Sequence, residues 1–337
     1  MASYTVEVFQ HAVVQMVILA VIVVCGFIAR KKRLMNDTFD TMLSQLVMSV
    51  TLPALILDSV LSSTQLPSAH DIGLTLGYAA LYFLLIGSVS FLITRVVYRG
   101  VPPVTRGAHE FMMIYGNTGF LGYAVLAAVL DPSAVLYAAI FNIVFNITVF
   151  SYGIMLVSGD KPDARQAGQR DGSAEPAPKK HSWRDHARAL GHTLTKPALI
   201  ASYIAVVLAI CGITDSGPIS QTCDLLGGMT VPAAMLVIGS SIAKMPLKEM
   251  LFDKWSYLTA AIRLIVAPLL VFGVFRLFTH DAFILAIMVM LAAMPVASNG
   301  TMLCLAYRGD TRAVARGTFL TTIFSMVTLP LIALLVV

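Results

Sequence analysis

Apolar runs of 18 or more residues recur along this chain, separated by short polar connections. Runs of that length match the hydrocarbon thickness of a bilayer as helices. The pattern predicts an all-α polytopic membrane protein with ten spans, at about 8–29, 38–61, 72–97, 108–130, 134–157, 196–213, 219–243, 255–278, 281–306 and 313–336. The one long connection, residues 158–195, is rich in Gly, Ala, Pro, Asp, Lys and Arg and reads as a polar linker. Within it, Ser182–Leu194 has the pattern of a surface helix, and His181, His186 and His192 fall on a solvated face rather than forming a metal site.

Two of the runs are interrupted near their middles. Met112–Leu126 contains Gly116-Asn117-Thr118-Gly119, and Ala293–Tyr307 contains Pro295 and Ser298-Asn299-Gly300-Thr301. An unpaired backbone N–H or C=O in hydrocarbon costs several kcal/mol, so a helix broken at that depth must lie inside protein or line a wet cavity. Two such breaks in matching positions of two halves point to a transporter's substrate site.

The matching positions are legible. Five spans, a linker and five spans imply two repeats, 1–157 and 196–337, joined by 158–195, and an odd span number makes their topologies opposite. Thr51-Leu52-Pro53-Ala54 in span 2 and Thr230-Val231-Pro232-Ala233 in span 7 are offset by 179, while Asn117 and Asn299 are offset by 182. Two features at nearly one offset predict an inverted repeat.

Composition agrees: 58% of residues are hydrophobic and 12% charged. The net charge of +5 does not indicate nucleic acid, because the basic residues sit in blocks between apolar runs. The connections after spans 1, 3, 5, 7 and 9 carry 4, 3, 8, 3 and 3 Lys/Arg, which is 21 of the 23. By the positive-inside rule both termini face outside, and the linker 158–195 lies in the cytoplasm of a plasma membrane, the inner membrane of a bacterium. The first run lacks a basic leader and runs into Arg30–Arg33, so it reads as a span rather than a cleaved signal. Cys25, Cys211, Cys223 and Cys304 are scattered without metal-ligand spacing.

At this point the chain resembles the auxin efflux carrier family, which includes plant PIN carriers and bacterial malonate and malate permeases. The resemblance rests on Asn117-Thr118-Gly119-Phe120-Leu121-Gly122, Leu226–Pro232 with Gly239, Arg263–Pro268, and Met294-Pro295 through Tyr307-Arg308-Gly309-Asp310. The tail Thr318–Leu331 also resembles that family's last span. The resemblance implies spans 4 and 9 crossing where they unwind (a sodium/bile-acid-symporter-like fold). It also implies a scaffold of spans 1, 2, 6 and 7, a transport unit of spans 3–5 and 8–10, and a homodimer. Ala124 stands where many relatives have proline.

The candidate substrate residues are Asn117, Thr118, Gly119, Ser298, Asn299, Gly300, Thr301, Arg263 and Asn146. An amide at a helix break offers donors and an acceptor, and the adjoining helix N-terminus adds free N–H groups and partial positive charge, which suits a carboxylate. The family resemblance adds that Asn117 contacts substrate; the alternative is that it only caps the broken half-helix. Gly116, Gly122, Pro295, Pro53 and Pro232 are the break and hinge residues. Arg263 lies about 13 Å inside span 8 at 1.5 Å per residue and needs a partner: the substrate, Glu110 or a helix C-terminus. Asn142 and Asn146, one turn apart, either line the cavity or bond to broken span 4. Asp58, Glu110, Asp224, His11, His109 and His280 lie near span ends and are expected to be solvated or capping.

No HExxH, GxSxG or nucleophile–base set occurs, so an enzyme is not expected, nor is a metal or cofactor. The expected activity is secondary carriage of a small organic anion, a malonate- or malate-like carboxylate, by elevator-type alternating access. An auxin-like aromatic monocarboxylate or an anion channel are the alternatives. The coupling ion, H+ or Na+, is left open.

Overall fold

A computed structural model describes residues 2–63, 66–158, 195–215, 217–244, 253–279, 281–297 and 299–336. Most of the linker, Ser298 and His280 therefore lie outside the described residues, as do the side chains of His11 and Asn299. Along the chain the helices are α1 (Ala2–Lys31), α2 (Asp37–Leu61), α3 (Ala69–Val96), α4 (Pro103–Ile114), α5 (Thr118–Val129) and α6 (Ala134–Val157). After the linker come α7 (Pro197–Ile210), α8 (Pro218–Lys244), α9 (Lys254–Phe275), α10 (Ala282–Ala292), α11 (Asn299–Ala306) and α12 (Thr311–Val336). Among the described residues no strand forms beyond one isolated bridge, and six helices are long and apolar enough to cross a membrane: α2, α3, α6, α8, α9 and α12. The chain is an all-helical, multi-pass membrane protein. The predicted fourth and ninth runs are each divided, into α4 and α5 and into α10 and α11.

Local chemistry explains the helix ends. Ser68 and Asp71 form a reciprocal capping box at the start of α3, and Asn36, Asp253 and Asp281 accept from first-turn N–H groups of α2, α9 and α10. Prolines open α4, α7 and α8, where a missing N–H costs nothing. Single π-helical turns, a widening frequent at functional sites, interrupt α2 at 47–51, α6 at 149–153 and α9 at 262–266, and one opens α5 at 118–122.

Packing follows bilayer rules. Helix α1 lies along the second half of α8, while α2 packs on α7 and on the first half of α8. Helices α3, α4 and α6 pack together, as do α9, α10 and α12. Outward faces carry Val17, Val21 and Val24 on α1 and Leu84 and Leu92 on α3, the apolar surface that lipid requires. The α1–α8 contact depends on small residues: a Cβ on Gly239 would overlap the Val23 carbonyl oxygen, and one on Gly26 the Leu236 carbonyl oxygen. At one end the helices are tied by charge. Asp37 accepts from Arg30 at 2.8 Å and Lys244 at 3.2 Å, while buried Asp40 accepts from Ser240 at 2.6 Å.

Substitution at Gly239 tests this close approach. Gly239→Val forces α1 and α8 apart and is expected to destabilise by about 1–3 kcal/mol, the range for overpacking. Gly228→Ala, where an added Cβ meets nothing within 4 Å, is expected to stay within about 0.5 kcal/mol. Thermal unfolding of the purified protein in detergent measures both.

Candidate functional site

The two interrupted runs meet. Asn117 N–H donates to the Pro295 carbonyl at 2.7 Å, Ala297 N–H donates to the Tyr115 carbonyl at 3.0 Å, and Gly116 pairs antiparallel with Val296. Each break therefore supplies the backbone partners that the other lost on leaving the helix, which is how such a crossing survives away from water. Val296 N–H finds the Thr321 hydroxyl of α12 at 3.1 Å, and that hydroxyl donates in turn to the Gly317 carbonyl at 2.7 Å.

Four helix ends converge here: the C-termini of α4 and α10 and the N-termini of α5 and α11. Arg263, fully buried on α9, reaches the first two. Its Nε donates to the Met294 carbonyl at 2.9 Å and its Nη2 lies 3.5 Å from the Leu291 carbonyl. Its Nη1 donates to the Met113 and Ile114 carbonyls, both at 3.2 Å, and to the Tyr82 hydroxyl at 2.8 Å. Of the partners considered for Arg263 from sequence, the structure places it on helix C-termini. Glu110 instead accepts from the hydroxyls of Thr94 at 2.9 Å and Tyr152 at 2.5 Å. Gly116 is the residue that admits the guanidinium, since a Cβ there would overlap Arg263 Nη2.

Both C-terminal ends carry partial negative charge and share one cation; both N-terminal ends carry about half a positive charge each by the helix-dipole argument. Asn117 stands at the start of α5, buried at 8% exposure, with its side-chain oxygen 3.5 Å from Leu121 N–H. Thr118 is buried and donates to Asn142 Oδ1 at 2.8 Å, while Asn142 Nδ2 returns a bond to the Thr118 carbonyl at 3.3 Å. Asn142 is therefore the residue that fastens the broken run to α6. Asn146, partly exposed, donates back to the Asn142 carbonyl at 2.6 Å. Gly119 and Thr301 are partly exposed, and Gly122, Gly300 and Pro295 are buried. Gly300 lies against the Phe111 ring, where a Cβ would approach within 2.7 Å.

Away from the crossing, Thr230 donates to Thr51 at 2.9 Å, so the two T-x-P-A stretches touch at the residues offset by 179. Pro53 and Pro232 follow within one turn, the second exposed. A cleft of ≈ 860 Å³ opens between α2 and α8, lined by Asp58, Asp215 and Asp224 among other residues. Its acidic lining repels a carboxylate.

The expectation that acids and histidines near span ends are solvated or capping is corrected for three of them: Asp58, Glu110 and His109 are 7%, 5% and 1% exposed and lie within their helices rather than at a cap. His109 and Glu110 lie well inside α4 rather than at its end and are covered by neighbouring helices, His109 Nδ1 lying 2.8 Å from the Thr259 hydroxyl, while Asp58 faces the cleft between α2 and α8. Sequence reading also passed over Tyr82 and Thr321, two of several hydroxyls on their spans, which bond to the crossing or its arginine. Among the described residues no three His, Cys, Asp or Glu side chains group as metal ligands.

Residues 11–333 match the family model described as membrane transport protein. The chain belongs to that family. It corresponds to the auxin efflux carrier-like group that the motifs around Asn117, Pro232, Arg263 and Pro295 resemble. This transporter is similar, at 24% identity over 313 residues, to an uncharacterized transporter of Methanothermobacter thermautotrophicus, covering 92% of this chain and 94% of the relative. It is also similar, at 22% identity over 320 residues, to an uncharacterized transporter of Methanocaldococcus jannaschii, covering 93% and 95%.

The Arg263 clamp predicts its own failure. Arg263→Met leaves four buried carbonyls without their cation and is expected to cost about 3–5 kcal/mol, the range for breaking a buried charged network. Gly116→Ala, which displaces the same guanidinium, is expected to lower the melting temperature in the same direction. Detergent thermal unfolding and monodispersity measure both; a well-folded Arg263→Met protein of unchanged melting temperature contradicts the clamp.

Proposed function

We propose that this chain is a secondary carrier of a small organic anion, a malonate- or malate-like carboxylate, that works by elevator-type alternating access. One observation supports it most: Arg263 occupies the two negative helix ends of the crossing, so the ends left to face a ligand are the two positive ones. A carboxylate is the ligand that complements two N-terminal turns flanked by amides and hydroxyls.

In this proposal Asn117, Thr118, Gly119, Ser298, Asn299, Gly300 and Thr301 receive the anion. Arg263 and Gly116 hold the geometry without touching it, and Asn146 borders the cavity from α6. The frame is ten spans in two inverted five-helix repeats, 1–157 and 196–337, with spans 1, 2, 6 and 7 as scaffold and spans 3–5 and 8–10 as the moving unit. The contact between Thr51 and Thr230 and the crossing of the breaks at nearly the same sequence offset both support that symmetry. The distribution of Lys and Arg supports a plasma-membrane orientation with termini outside and the linker 158–195 inside. Assembly as a homodimer is part of the same proposal.

The test is current from proteoliposomes on a solid-supported membrane, challenged with malonate, malate and an aromatic monocarboxylate and repeated as labelled counterflow. The expected result is saturable flux of one dicarboxylate, reduced at least tenfold in Asn117→Ala while the variant elutes as wild type does. Silence for every acid in both assays, or unchanged half-saturation in Asn117→Ala, overturns the assignment.

A further inference from the structure

Among the described residues, Glu110 is a carboxyl inside the helical bundle with no cationic hydrogen-bond or ion-pair partner. It is 5% exposed, and among the described residues its oxygens meet only two neutral hydroxyls, Thr94 of α3 at 2.9 Å and Tyr152 of α6 at 2.5 Å. The shorter separation is that of a charge-assisted bond. A buried ionised carboxylate without a cation carries a desolvation cost of several kcal/mol. An ionisable side chain at such a place, bridging three helices, is a functional group by default.

The surroundings are arranged for both charge states. Thr94 Oγ1 lies 3.0 Å from the Phe91 carbonyl as well as 2.9 Å from Glu110, so its hydrogen has a second acceptor ready when the carboxylate is neutralised. Tyr152 sits on the π-helical turn of α6, a feature frequent at functional sites. The titratable and charged groups nearby are Tyr152 and Tyr115, with Arg95 of α3 acting on Tyr152 from an exposed position. His109, the neighbour on α4, turns to Thr259, with Asp253 and Asp310 in its field. Arg263, from α9, is occupied at the far end of α4.

Helix α4 links this carboxyl to the crossing. Glu110 precedes Ile114, the last residue of α4, by about 6 Å of helix rise, and Asn117 stands three residues beyond the helix, a separation on the order of 10 Å. Phe111 beside it packs on Gly300 of the second break, and Tyr115 at the end of α4 accepts from Ala297.

We propose that Glu110 is the proton-binding site through which this carrier couples anion movement to a proton gradient. Uptake transfers one proton from water to a Glu110 oxygen and changes the site from singly negative to neutral. The Thr94 hydroxyl then turns to Phe91, and the new carboxyl O–H finds Tyr152 as acceptor. Removing a negative charge about 10 Å from the positive helix ends favours an anion there by roughly tenfold at an effective dielectric constant of about 20. By reciprocity the anion favours the proton equally. The proton site stands on the geometry of Glu110 alone; its coupling to transport rests on the carrier function proposed above.

The experiment has one arm for each. Purified protein in liposomes is examined by pH-difference infrared spectroscopy, which needs no substrate. A buried carboxylic C=O band that grows with acidification is expected in wild type, absent in Glu110→Gln and present in Glu110→Asp. Tyr152→Phe, which keeps the carboxyl, is expected to displace the band by removing a hydrogen bond, so the assignment does not depend on Glu110→Gln folding. A band unchanged in Glu110→Gln or unmoved in Tyr152→Phe overturns the proton site. In the second arm malonate counterflow is measured at several pH values. Apparent affinity is expected to rise about tenfold on acidification in wild type and to lose that dependence in Glu110→Gln, the substrate's own ionisation being common to both. An identical pH profile in the two proteins overturns the coupling, whereas silence in wild type counts against the organic-anion assignment and leaves the infrared result standing.

Discussion

The structure turns on one buried guanidinium shared between two helix C-termini. Two half-helices that end inside a membrane protein expose carbonyls that water cannot reach, and each uncompensated group costs several kcal/mol. Arg263 answers four of those carbonyls, and the antiparallel pairing of Gly116 with Val296 answers the backbone in between. Arg suits this task because its planar fork presents five donors in fixed directions, which a lysine ammonium does not. The absent side chain of Gly116 is as necessary as the arginine, since the guanidinium passes through the space a Cβ would fill.

The electrostatics of the site follow from that clamp. With the negative ends neutralised by a residue of the protein, the positive ends are what the crossing offers to a ligand. In the proposed reading the crossing receives an anion through apolar helices and backbone dipoles, while Arg263 holds the carbonyls rather than the ligand. Asn142 and Thr321, each bonding to the backbone of a break, hold the two unwound stretches from opposite sides. The acidic cleft lined by Asp58, Asp215 and Asp224 has the opposite sign and stands apart from the crossing.

Much of this was legible in the sequence, for definite reasons. The predicted span at 134–157 coincides with α6, and the run predicted at 196–213 with α7 at Pro197–Ile210, because hydropathy is a property of single residues and adds along the chain. The breaks were legible because Gly116-Asn117-Thr118-Gly119 has no place in a lipid-facing helix. What the sequence did not disclose depends on tertiary proximity. Glu110 lies near the predicted end of a span, yet α3 and α6 cover it, and nothing in its local sequence names Thr94 or Tyr152 as partners. Arg263 was recognisable as a buried cation, but only the fold selects α4 and α10 rather than Glu110 as its partners. The roles of Tyr82 and Thr321 stay hidden in the same way: α12 carries several hydroxyls that bond to their own preceding turn, as Thr322 and Ser325 do, and nothing local marks Thr321 among them or Tyr82 on α3.

The most direct measurement is a structure of the protein in lipid nanodiscs with a halogenated dicarboxylate bound, so that the heavy atom locates the ligand. The account predicts carboxylate density against the first turns of α5 and α11, beside Asn117 and Thr301, with Arg263 still on the carbonyls of Met113, Ile114 and Met294. Density on the Arg263 guanidinium itself, or in the cleft beside Asp58, would contradict it.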